Sequence, residues 1–123
     1  MGMTADGQEV WYRYDIFWRD SELRVVMIEL PVIKHTPTGV RLGDLDGDER
    51  FVNPTAKSPY ACDTPEKARQ VFGVRMIAIM NQTSSARTKQ KQIVAARALT
   101  LLEADTIVEE RWNSKKETEQ AQT

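Results

Sequence analysis

From Val10 to Trp18 apolar and polar positions alternate. Val10, Tyr12, Tyr14, Ile16 and Trp18 fall on one side, and Trp11, Arg13, Asp15 and Phe17 on the other. A period of two with many aromatics predicts a half-buried β-strand. Asp20-Ser21-Glu22 is a polar turn. Leu23 to Lys34 then places Val26, Ile28, Leu30 and Val32 on one face and Val25, Met27 and Glu29 on the other. That predicts a strand covered on both sides, with a bulge or unpaired edge at Pro31. Thr36-Pro37-Thr38-Gly39 has proline and glycine where a reverse turn favours them. It leads into short strands at Val40–Leu42 and Arg50–Asn53, separated by a turn over Gly43–Asp48. The first half is therefore expected to be a four-stranded antiparallel meander over residues 10–53.

The period changes after a loop at Asn53–Asp63. Thr64-Pro65-Glu66 combines a capping hydroxyl, a proline suited to the first helical turn and an early carboxylate. Ala68, Val71, Phe72, Met76, Ile79 and Met80 recur at helical spacing. A second stripe runs through Val94, Ala98, Leu101, Val108 and Trp112. The stripe lapses between Gln82 and Gln92, and Asn81–Ser85 are weak helix formers, so a helical hairpin is favoured over one long helix. The predicted fold class is α+β: the meander packed against helices over residues 65–112, in one domain spanning residues 1–112. The polar tail, residues 113–123, is expected to be disordered.

Composition adds limits. The chain has 123 residues, with 17 Lys and Arg against 18 Asp and Glu, for a net charge of −1. That excludes a generally basic nucleic-acid binder. One cysteine, Cys62, and one histidine, His35, exclude an internal disulfide and a four-ligand Cys/His zinc site. No cofactor or metal site is expected. The first residues do not resemble a signal peptide, and no apolar run approaches a membrane span. A reducing, cytoplasmic setting is expected.

The charge is segregated along the chain. Residues 1–50 carry a net −4, residues 51–66 a net −1, residues 67–102 a net +7 and residues 103–123 a net −3. Residues 67–102 contain no Asp or Glu. Arg69, Arg75, Arg87, Lys89, Lys91 and Arg97, together with Lys67, predict a basic helical surface for an anionic partner. Arg87, Lys89 and Lys91, around the helix–helix junction, are the leading electrostatic candidates. The competing reading pairs these cations with carboxylates of the sheet. No helix-turn-helix, zinc-finger or RNA-recognition pattern supports duplex nucleic acid as the partner.

Catalytic motifs are missing. Asp44-Leu45-Asp46-Gly47-Asp48 has alternate aspartates, but its glycine is fourth rather than sixth and Thr55 stands where a calcium loop needs Glu. A tight Asp-Gly turn is the better reading. His35 and Cys62 show no spacing that suggests a base and nucleophile. The chain is therefore not expected to be an enzyme. His35, Arg41, Arg50 and Tyr60 form a second-choice pocket, at turns and sheet edges. Trp11 and Phe17, beside Arg13 and Arg19, are expected on a face covered by a partner subunit, which implies a homo-oligomer.

His35-Thr36-Pro37-Thr38-Gly39-Val40, Arg50-Phe51-Val52, Tyr60-Ala61 and Thr64-Pro65-Glu66-Lys67-Ala68, with Arg75 following, resemble a family of small phage-encoded proteins. The resemblance covers about residues 10–80, with departures at Thr38, Arg41 and Met76. It implies a phage accessory product in the bacterial cytoplasm, an inhibitor of host functions that include immunity. The expected activity is non-catalytic: capture or occlusion of a host protein or a small anionic nucleotide. The alternatives are a nucleic-acid-binding regulator and a structural or interaction subunit of a phage assembly.

Overall fold

The structure is a computed structural model describing residues 2–3, 7–44, 47–82 and 86–111. The polar tail, residues 113–123, and Trp112 lie outside the described residues. The fold is α+β, in the order β1 (Gly2–Met3), β2 (Glu9–Arg19), β3 (Glu22–Thr36), β4 (Gly39–Gly43), β5 (Glu49–Val52), α1 (Pro65–Met80), α2 (Ala86–Glu103) and β6 (Ile107–Arg111). Strands β1 to β5 pair in sequence, each antiparallel to the next, and β6 pairs with β3 in parallel.

The expected meander is present as β2 to β5, and each turn has a local cause. Arg19 pairs with Glu22 across a two-residue loop in which Asp20 and Ser21 both have positive φ, 52° and 64°. A loop of that kind matches the twist of the strands it joins. In the next turn the Thr36 hydroxyl accepts from the Gly39 amide and donates to the Gly39 carbonyl, each at 3.1 Å. The β4–β5 loop closes with the Asp44 amide donating to the Asp48 carbonyl at 2.8 Å, and Gly47 takes φ 90°.

Strand β3 is long enough to serve two purposes. Its register shifts between Val32 and Lys34, where pairing passes from β2 to β4. The shift re-aims β4 and β5, whose side chains close over one face of the β2–β3 pair. Val40, Leu42 and Val52 pack there with Trp11, Val26, Ile28 and Leu30. The opposite face of β2–β3 receives the helices: Tyr12, Tyr14, Val25 and Met27 pack with Phe72, Met76, Ala95 and Ala98. Two apolar cores therefore sit back to back across one pair of strands.

The outer edge of β2 is covered in pieces. Val10 pairs with Gly2 of β1. Tyr12 exchanges two backbone hydrogen bonds with Cys62, at 2.7 and 2.8 Å. The Tyr14 carbonyl accepts from Arg75 Nη2 at 3.3 Å. An edge closed in this way offers few free backbone groups to another chain.

The helices form the hairpin, with α1 ending at Met80 and α2 starting at Ala86. Thr64 caps α1, its hydroxyl accepting from the Lys67 amide at 3.2 Å, and Pro65 opens the helix. At the other end of α1 the carbonyls of Ile79, Met80 and Gln82 accept from the side-chain amide of Gln92, on α2. These bonds satisfy terminal acceptors that the helix leaves open.

The expectation of helix through residue 112 is corrected. Helix α2 stops at Glu103, and Asp105 takes φ 57°, its amide donating to the Leu102 carbonyl. Residues 107–111 then run as a strand beside residues 25–29 of β3. The physical reason lies in Thr106-Ile107-Val108, three β-branched residues in a row, which favour the extended chain once a turn has broken the helix.

Candidate functional site

The basic residues of 67–102 divide into those tied within the fold and those left open. Arg69 joins three elements. Its Nη1 lies 2.7 Å from Asp105 Oδ1, and its Nη2 donates to the Leu102 carbonyl, so α1 is stapled to the end of α2 and the turn into β6. The Asp105 hydrogen bond raises the Arg69 pKa further above its ordinary value. Lys67 Nζ pairs with Asp63 at 3.1 Å, one helical turn away.

Arg75 belongs to a cluster centred on Tyr60. Its guanidinium lies 3.6 Å from Asp15 Oδ1, and Arg13 meets Asp15 Oδ2 at 3.1 Å. Burial and then the neighbouring Arg13 push the Arg75 pKa down from its ordinary value. The Arg13 and Arg50 guanidinium carbons each sit 4.0 Å from the centre of the Tyr60 ring. One ring is therefore shared by two cations, each within cation–π range. The Tyr60 hydroxyl donates to the Asp44 carboxylate, at 2.9 and 3.0 Å from its two oxygens, and Arg50 Nε reaches Asp44 Oδ2 at 3.0 Å. Asp44 is only 6% exposed. Burial, then the Asp44 hydrogen bond, pushes the Tyr60 pKa upward.

This cluster gathers Arg50, Tyr60 and Arg75 from the expected site residues and adds Arg13, Asp15 and Asp44. The signal for Asp44 was its place in the Asp-rich turn. Arg13 and Asp15 carried no signal beyond their two-residue spacing on one strand face. Here the arginines meet carboxylates, a ring face or a main-chain carbonyl. The cavity beside Tyr60 and Arg75 is about 10 Å³, room for at most one water. The cluster joins β2, β5, the 53–63 loop and α1, and that cavity is too small for a ligand.

The second-choice pocket is corrected on the same grounds. Arg50 and Tyr60 meet over Asp44, but His35 Nε2 sits 2.7 Å from Glu9 Oε1, and Arg41 faces Glu49 at 3.8 Å. These are separate pairs rather than one convergent group. Cys62 is buried, and burial raises its thiol pKa, which suits a packed side chain more than a nucleophile.

The interface expectation for Trp11 and Phe17 is also corrected. Trp11 is 6% exposed and lies in the core closed by β4 and β5, and Phe17 packs against that core. The face expected to need a partner subunit is covered by the chain's own strands. The Trp11 indole nitrogen is buried without a hydrogen-bond partner among the described residues. Trp18, on the opposite face of β2, is the exposed aromatic, at 64%.

What remains open is α2. Lys89, Lys91 and Arg97 are exposed and make no ion pair among the described residues. The side chain of Arg87 lies outside the described residues. Lys89, Ile93 and Arg97 follow at intervals of four, on the outer face of the helix. Ile93 is 70% exposed, and Val74 and Ile77 of α1 are exposed as well. Among the described residues of the helical layer no carboxylate interrupts this surface between Glu66 and Glu103.

No helix among the described residues is long and apolar enough to cross a membrane. No family model, no curated protein and no solved structure matches the chain.

Proposed function

We propose that this chain is a non-catalytic binding protein that occludes an acidic protein surface with the outer face of its helical layer. The observation that carries the reading is the face of α2. Lys89 and Arg97, without ion-pair partners among the described residues, flank the exposed Ile93. Apolar side chains next to unpaired cations are what a protein contact uses, the first for burial and the second for steering and register. Capture of a small nucleotide is the weaker version, since Lys89 and Arg97 project from a convex helix rather than into a cavity. The resemblance to small phage-encoded proteins supports a counter-defence role in a bacterial host.

The test is retention of a host protein by the immobilised chain, compared with a Lys89→Glu/Arg97→Glu variant and with Ile93→Asp. One stoichiometric partner should be retained by the parent chain and lost by both variants, with all three proteins melting alike. Retention should also weaken as salt rises. A partner held equally by the charge-reversed protein would refute the proposed face. Retention of nucleic acid instead, with a steep salt dependence, would move the function to the regulatory alternative.

A further inference from the structure

The helix-facing stripe of β2 continues past the helices that cover it. Tyr12 and Tyr14 are buried under α1 and α2, Ile16 is half-buried, and Trp18 is open to solvent. Beside Ile16 a groove of about 420 Å³ opens between the strand and the helical hairpin. Its floor is apolar, formed by Ile16, Met76, Ile79 and Val94, and its rim carries Gln82, Gln90 and Lys91. That volume lies within the range of small-molecule sites, which combine an apolar lining with a few polar groups.

Lys91 occupies an unusual position. It precedes Ala95, Ala98 and Leu102 by four, seven and eleven residues, so it belongs to the stripe of α2 that faces the sheet. Those three residues are buried, whereas Lys91 is exposed and has no ion pair among the described residues. Among the described residues no carboxylate lines the groove. Two residues of separation place Lys91 about 200° around the helix from Lys89. The groove is therefore distinct from the outer face assigned to a protein partner.

We propose that this groove binds an amphiphilic carboxylate. The aliphatic part lies on Ile16, Met76, Ile79 and Val94. The carboxylate meets the Lys91 ammonium at the rim, within reach of the side-chain amides of Gln82 and Gln90 as further donors. Charge selects this class: a cationic amphiphile meets an unopposed ammonium, and a neutral one leaves that ammonium without an anion.

Calorimetric titration of the full chain with decanoate, 1-decanol and decylamine, each kept below its aggregation concentration, tests the assignment. Decanoate should bind saturably at one molecule per chain. Decanol should bind roughly tenfold more weakly, and decylamine should not bind measurably. Lys91→Met should bring decanoate down to the decanol affinity and leave decanol unchanged. Ile79→Trp should fill the groove and block both, and Val94→Phe serves the same purpose if the first variant does not fold. Absence of saturable decanoate binding, equal affinity for decanoate and decanol, or an unchanged preference in Lys91→Met would each overturn the proposal. A dimer that Ile79→Trp dissociates and decanoate does not would also overturn it, by making the groove a contact between copies. None of these outcomes depends on the Lys89 and Arg97 face, whose own test is partner retention.

Discussion

Asp44 shows how one buried carboxylate organises its neighbours. At 6% exposure it has lost most of its water, and the Tyr60 hydroxyl and Arg50 guanidinium replace it. Tyr60→Phe removes a donor and leaves the carboxylate under-satisfied, which should cost about 1–3 kcal/mol in denaturant unfolding. A change below a few tenths would show that Arg50 and the other neighbours of Asp44 suffice without the phenol. The phenols also set a pH limit. Burial is the leading cause that pushes Tyr12, Tyr14 and Tyr60 above the ordinary tyrosine value of about 10. The folded state therefore holds these protons more tightly than the unfolded chain. Their contribution is complete below pH ~10 and is lost as pH rises through the higher folded values. Unfolding free energy should decline in that alkaline window, and less steeply in Tyr60→Phe. A flat profile there would contradict the assignment.

At the scale of elements, close approach and stapling matter more than propensity. Gly39 begins β4 where the backbone of Val52, on β5, leaves no room for a side chain: a Cβ there would overlap the Val52 carbonyl oxygen. Gly39→Ala should cost about 1–3 kcal/mol through forced movement of β4 against β5. Equal stability by denaturant titration would mean that the two strands separate freely. Arg69 is the corresponding staple of the helical layer, bonded to Leu102 and Asp105. Arg69→Ala should speed amide hydrogen exchange in residues 101–108 ahead of the β2–β3 core, because it frees the turn between α2 and β6. Uniform acceleration across the chain would point to a global effect instead.

For the whole molecule, the parallel strand β6 closes the circuit. It returns the chain to β3 after both helices, and Val108 packs against the core under β4 and β5. Ending the chain after Thr106 should expose the edge of β3 along residues 25–29. The shortened protein should aggregate during refolding, read by light scattering, whereas the Lys89→Glu/Arg97→Glu protein should refold as the parent does. A monomeric, fully stable shortened protein would show β6 to be an accessory strand. The contrast separates residues that build the fold from residues on its surface.

The linear pattern determined the meander, the start of α1 and the hairpin of helices, because each rests on local chemistry: alternation along β2 and β3, the Thr36–Gly39 turn, and the Thr64 cap with Pro65. It also located the run of cations from Lys67 to Arg97. Only the tertiary structure decided which of those cations are open. Arg69 and Arg75 are bonded to residues more than thirty positions away in sequence, whereas Lys89 and Arg97 have no ion pair among the described residues. It likewise decided that Trp11 lies inside and Trp18 outside: β4 and β5 close over Trp11 although its face of β2 carries Arg13 and Asp15, whereas Trp18 stays exposed at the end of the more apolar face. Strand β6 sits between these cases. Its β-branched run is local and readable, but its partner, 82 residues away at Val25, pairs with it only because the two helices carry the chain back.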